Sequence, residues 1–258
     1  MIFTKQEPYV GKKYEDSTLF GVRVMVVGAS HYCGKFDKRT GCNSECKCFG
    51  KLKVNYRDRN KKIREQYFGP CCQLFTKNVV ERYLYGDSSN GDGGWKRTYT
   101  KFLKSLFKNL DASAGDCRKL VEHLAFTEYL QGAEGRDASD KNDKLFTDDR
   151  HYEVLKENIA KHCPGVVIVW GDRVWTQIEK RCNGTPLSLT RRETMIGNHA
   201  VQFVKVSHPS RRGYYKTEPH RRFEEAGIRL IDREELCRIA CGTNGHIVPH
   251  RHNGGEML

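Results

Sequence analysis

Two short runs in this chain are apolar almost from end to end, "VRVMVVG" at 22–28 and "GVVIVWG" at 165–171. Runs of this length, rich in Val and closed by Gly, read as strands buried on both faces. Such strands need helices above and below them, and the sequence supplies the helices. "FTKNVVERYLYG" at 75–86 reads as a helix capped by Thr76 and stopped by Gly86, with Val79, Val80, Tyr83 and Leu84 on one face. "TYTKFLKSLFKNL" at 98–110 reads as a second, with Phe102, Leu103, Leu106, Phe107 and Leu110 at helical spacing. Further helices are expected over 148–163, closed by Pro164 and Gly165, from Asp172 to about Arg181, over 218–227, and in "DREELCRIAC" at 232–241. "HLAFTEYLQ" at 123–131, "AVQFVKVSHPS" at 200–210 and "IRLI" at 228–231 read as further strands.

Strands alternating with helices imply right-handed crossovers and a parallel sheet covered on both faces. Ligands of such sheets lie outside the carboxyl ends of the strands. "GASHYC" at 28–33, "WGDRVW" at 170–175 and "SHPSRRG" at 207–213 should therefore meet along one edge. A polar, Cys-rich and Lys/Arg-rich insertion spans 35–72, and "GDSSNGDGGWKR" at 86–97 reads as a flexible loop. There is no internal repeat. The expected organisation is a single domain over 1–236, with that insertion, followed by a poorly ordered tail over 237–258.

Charge narrows the partners. Lys and Arg total 45 against 32 Asp and Glu, a net charge of +13 over 258 residues. That balance favours an anionic partner, nucleic acid before a membrane surface, with a merely solvated surface as the plain alternative. No run of 18 apolar residues could cross a membrane. "MIFTKQEPYVGKKYED" lacks the basic segment and apolar core of a signal peptide. Eleven Cys without an export signal then imply reduced thiols and a location in the cytoplasm or at the nucleoid.

Two strand-end motifs carry a resemblance. Gly28-Ala29-Ser30-His31-Tyr32-Cys33 follows the first strand, and His208-Pro209-Ser210 follows a later one. In order and separation the chain resembles the uracil-DNA glycosylase-like superfamily over roughly residues 20 to 231. There the first strand ends in Gly-Gln-Asp-Pro-Tyr-His, a later strand ends in His-Pro-Ser, and "PGVVIVWGDRVWTQI" matches the middle strand and its helix. The resemblance implies a three-layer αβα sandwich around a central, mostly parallel four-stranded sheet. It implies cleavage of the N-glycosidic bond of a base in DNA, with no cofactor required.

The same resemblance distributes roles. His208 would donate a hydrogen bond to the oxyanion developing on the departing base. Tyr32 would flank the pyrimidine ring beside Gly28; apart from the resemblance, Phe75, which opens the helix after the insertion, is a candidate for stacking on the base, with ordinary core packing as the favoured alternative. Ser30 stands where the family has a water-activating Asp, and a neutral hydroxyl is no strong base at pH 7. His31, one residue on, is a candidate to act in its place. Glu128 aligns with the family's uracil-reading Asn; a carboxylate accepts hydrogen bonds where an amide both donates and accepts, so the ligand need not be uracil. Ser210, Arg211, Arg212, Tyr214, Tyr215 and Lys216 would contact DNA, single-stranded or with a flipped base, through phosphates and a stacking wedge. "KLKVNYRDRNKKIR" at 51–64 and His220 to Arg222 add positive charge.

The cysteines suggest a second chemistry. Cys42, Cys46 and Cys48 with Cys71 have the residue types of a Zn site, although their spacing is not the usual paired knuckle. Reduced, partly buried thiols are the alternative. The tail adds Cys237, Cys241, His246, His250 and His252 among flexible Gly neighbours. Three functions stay open on the sequence: a glycosylase-like hydrolase, a non-catalytic nucleic-acid or nucleotide-binding module that kept the fold and pocket, and, more remotely, an enzyme of a small nucleotide-like metabolite. Ser30 in place of Asp favours the second.

Overall fold

The structure of the protein, a computed structural model, describes residues 5–16, 19–29, 31–32, 36–37, 41–42, 53–57, 63–67, 76–85, 95–131, 133–134 and 146–240. Between 31 and 67, and at 133–134, only the backbone is described. In chain order the strands are β1 (Tyr9–Val10), β2 (Val24–Gly28), β3 (His31–Tyr32), β4 (Phe36–Asp37), β5 (Gly41–Cys42), β6 (Lys53–Arg57) and β7 (Ile63–Tyr67). There follow β8 (Leu124–Glu128), β9 (Ala133–Glu134), β10 (Val166–Trp170), β11 (Thr185–Ser188), β12 (Arg191–Ile196) and β13 (His199–Val206). The helices are α1 (Thr76–Tyr85), α2 (Trp95–Lys104), α3 (Ala114–Val121), α4 (Asp149–His162), α5 (Asp172–Arg181), α6 (Pro219–Glu225) and α7 (Arg233–Ala240).

The protein is α/β, built on one mixed sheet of seven strands in the order β1-β8-β2-β10-β13-β12-β11. β8, β2, β10 and β13 run parallel as neighbours. β1 joins β8, and the β11–β12 hairpin joins β13, all antiparallel. The chain leaves β2 for β8 on one side, then crosses to β10 on the other. That reversal is a topological switch point at the carboxyl ends of β2 and β10, the usual ligand position in such sheets.

Residue parity explains both coverings. Val24, Val26, Leu124, Phe126, Val166, Ile168, Val204 and Val206 pack with residues of α1, α2, α3, α6 and α7. Their alternates Met25, Val27, Ala125, Val167, Val169 and Phe203 pack with α4 and α5. A strand of continuous Val and Ile is what two buried faces require. Local signals set the helix ends. Asp148 caps α4 by accepting the Arg150 N–H at 3.1 Å, and Cys163 ends that helix with φ of 44°.

Several expectations need correction. The sheet has seven strands rather than four, because short or polar strands extend it at both edges; all of β11 is exposed and carries no apolar alternation to reveal it. Residues 228–231 are not a strand. Arg229 N–H donates to the Phe20 carbonyl and Ile231 N–H to that of Leu106, so this segment is tied to loops, with Ile231 making a lone bridge to Phe107. The helix expected over 98–110 runs instead from Trp95 to Lys104, taking Trp95 to Arg97 out of the anticipated loop. Tighter i to i+3 bonds at Ser105, Leu106 and Phe107 end it while the last two side chains stay buried, which preserved the apolar spacing. Helix α3 has no counterpart among the expected elements. Its start is a capping box, Ser113 Oγ accepting the Asp116 N–H at 3.1 Å while Asp116 accepts the Ser113 N–H at 3.0 Å. The insertion carries two hairpins, β4–β5 and β6–β7. Helix α7, Arg233–Ala240, lies where the last helix was expected, over 232–241.

Candidate functional site

Four adjacent strands end on one face with residues of one parity. The progression is Val24, Val26, Gly28 on β2; Leu124, Phe126, Glu128 on β8; Val166, Ile168, Trp170 on β10; and Val204, Val206, His208 along and beyond β13. The register aligns Gly28 with Glu128 and Trp170 with Val206. Glu128, Gly28 and Trp170 thus form a transverse row, with His208 one pleat further out. Three strand spacings of about 4.8 Å separate β8 from β13, so the strands that carry Glu128 and lead to His208 have axes about 14 Å apart.

Gly28 makes the middle of this row a notch. A Cβ added there would lie 2.4 and 2.6 Å from the two Glu128 carboxylate oxygens. The missing side chain is what admits the carboxylate, and Glu128 is 6% exposed. Beside it the Tyr99 phenol is pushed well above its ordinary range, chiefly by burial and further by the Glu128 charge. Trp170 closes the row. Its ring meets Tyr99, Phe102 and Phe126 at centroid distances of 5.6, 5.0 and 6.4 Å, forming an aromatic floor.

His208 is held by its own turn. Pro209 takes the second position, and the Arg211 N–H donates to the His208 carbonyl at 2.9 Å. The Ser210 N–H donates to His208 Nδ1 at 3.2 Å, and Ser210 Oγ lies 2.7 Å from the same nitrogen. A backbone N–H can only donate, so Nδ1 is the acceptor and the neutral ring carries its proton on Nε2. Burial lowers the pKa of the imidazole, favouring that neutral form. The ring stands edge-on to Trp170 at 5.9 Å and 81°. Gly171 makes room behind it. Its φ of 85° and ψ of 167° belong to a region only glycine enters readily, and an added Cβ would sit 3.4 Å from His208 Cβ. Asp172, the next residue, pairs with Lys205 at 3.0 Å.

The basic loop divides. Ser210, Arg211, Arg212 and Lys216 are exposed. Tyr214 is not a wedge: it is 1% exposed, and its hydroxyl pairs with Ser105 Oγ at 3.0 Å. Tyr215 is half-buried and donates its hydroxyl to the Lys101 carbonyl at 3.2 Å. Both tyrosines fasten the short 3₁₀ turn Tyr214–Thr217 to the end of α2.

The edge thus gathers Gly28, Glu128 and His208 from the expected set. The backbone of His31 and Tyr32 forms β3, paired in parallel with β9, and their side chains are outside the described residues. So are Ser30, Phe75, Cys46, Cys48 and Cys71, and the side chain of Cys42. Among the described residues no group of three His, Cys, Asp or Glu is placed to hold a metal. Cys117, Cys163, Cys182 and Cys237 form no disulfide. No helix among the described residues is long and apolar enough to cross a membrane. The sequence reading brought Trp170 and Gly171 to this edge without giving them a role, and it missed Tyr99. Trp170 and Gly171 ended a buried strand, and Tyr99 lay one turn before the helix's apolar stripe; strand parity would have placed Trp170 beside Gly28. Comparison with protein families and with curated proteins finds no match for this chain.

Proposed function

We propose that this chain is a divergent member of the uracil-DNA glycosylase-like superfamily that binds a base of DNA in the crevice between β2 and β10. The observation that carries the reading is the Ser210 N–H on His208 Nδ1, which fixes Nε2–H as a donor at the strand-end crevice. Helices on both faces of the four parallel strands support a three-layer αβα arrangement as the scaffold. A donor on one side of the crevice and a buried carboxylate, Glu128, on the other suit a flat heterocycle with both acceptor and N–H groups.

In the excision reading, the bond between the base nitrogen and C1′ of the sugar breaks and its electron pair departs with the base. His208 Nε2–H stabilises the oxyanion that forms on the base, and a water oxygen adds to C1′. That water must lose a proton, which ends on the departing base anion, and Ser30 cannot serve as the base that takes it first at neutral pH. A second reading, a module that binds the base without cleaving, is favoured by this one substitution.

Oligonucleotides each carrying one altered base, assayed for both binding and excision, separate the readings. The wild-type protein should discriminate among bases in binding and excise slowly or not at all. Ser30→Asp should raise excision of the preferred base. Equal binding to every base, with no excision by either protein, would refute a base-binding site.

A further inference from the structure

We propose that the start of α2 is a stacking platform for a nucleotide flanking the bound base in single-stranded DNA. This rests on the base-site reading and adds a second contact to the same partner. Trp95 opens α2 and is 42% exposed, whereas the other two tryptophans of the chain, Trp170 and Trp175, are 4% and 3% exposed. Its indole is nonetheless held in place. It stands perpendicular to the buried Tyr99 at 6.0 Å, and the Arg82 guanidinium lies 5.8 Å from its centroid. A rigid, half-exposed aromatic ring with a cation beside it is what stacks an unpaired base without regard to sequence.

Its neighbours favour an anion. Over Trp95–Lys104 the helix carries Lys96, Arg97, Lys101 and Lys104 and no carboxylate. Its apolar face, Tyr99, Phe102 and Leu103, is buried, so these cations lie toward the remaining sides. Edge-to-face ring contacts lead inward from Trp95: 6.0 Å to Tyr99, 5.6 Å from there to Trp170, and 5.9 Å on to His208. The platform and the base site therefore share one aromatic wall. A paired base hides its π-face within the duplex, which makes the single strand the fitting partner.

Emission combines the exposed Trp95 with the buried Trp170 and Trp175, so the share of Trp95 is the quenching that Trp95→Phe removes. Titration with a short deoxythymidine homopolymer at fixed salt should quench the emission. Trp95→Ala should lose that response and bind about 5- to 140-fold more weakly. Trp95→Phe should retain part of the affinity, with circular dichroism confirming that both variants are folded. The salt dependence should be unchanged, because stacking releases no counterions. If both variants bind as tightly as wild type and emission is unmoved, while His208→Ala still removes base discrimination, the platform is refuted and the base site stands. Failure of the wild-type protein to bind single strands at low salt would overturn both.

Discussion

At the scale of single residues, two side chains define opposite characters at one crevice. His208 is a neutral donor because a backbone N–H occupies its other nitrogen and burial disfavours its charge. Glu128 is an acceptor whose position depends on a missing Cβ at Gly28. The depressed pKa of His208 has a definite sign. A group that binds a proton less readily folded than unfolded contributes stability that is complete above about pH 6.5, the unfolded value, and lost as pH falls through the folded value. Nitrogen NMR of the imidazole should therefore show the Nε2–H tautomer and a titration midpoint below the ordinary histidine range. An Nδ1–H tautomer, or a midpoint above that range, would remove His208 as the pre-set donor.

At the scale of elements, the junction of β10 and α5 sets the distance between the helix and His208. Gly171 adopts a glycine-only conformation there, and its N–H donates to the Val206 carbonyl at 2.8 Å. Gly171→Ala should cost about 1–3 kcal/mol in denaturant unfolding, because its φ of 85° strains any side chain, and weaken base binding if that strain shifts the turn that carries His208. A variant of unchanged stability would show that the turn tolerates a side chain. The buried strands β2 and β10 were legible because two buried faces leave no polar alternation, and α4 and α5 because their apolar spacing is bounded by Asp, Pro and Gly. The β11–β12 hairpin was not, since its exposed residues carry no period. Helix α3 was announced only by Ser113 and Asp116, a capping pair easily passed over in a polar stretch. Within the site, His208 and Gly28 were legible from their motifs. The burial of Tyr214 was not: a Tyr after two Arg reads as surface until Ser105 is seen beneath it.

At the scale of the whole molecule, a parallel centre with a reversal between β8 and β10 gathers loops from distant parts of the chain at one edge. Exposed Arg211, Arg212 and Lys216 lie beyond His208 on that edge, in a chain of net charge +13. Charge of this kind supplies affinity and steering for nucleic acid but no choice among bases. In the proposed reading, choice comes from the strand-end edge that carries His208. The most direct test compares wild type with His208→Ala, both on the preferred oligonucleotide of the base panel and on a matched oligonucleotide lacking the base. His208→Ala should keep the base-independent affinity and lose the preference for the base; in the Ser30→Asp background it should lower excision by about 10²–10³-fold, the usual cost of removing one oxyanion donor. An undiminished preference for the base in His208→Ala would contradict the assignment of this edge as the base-binding site.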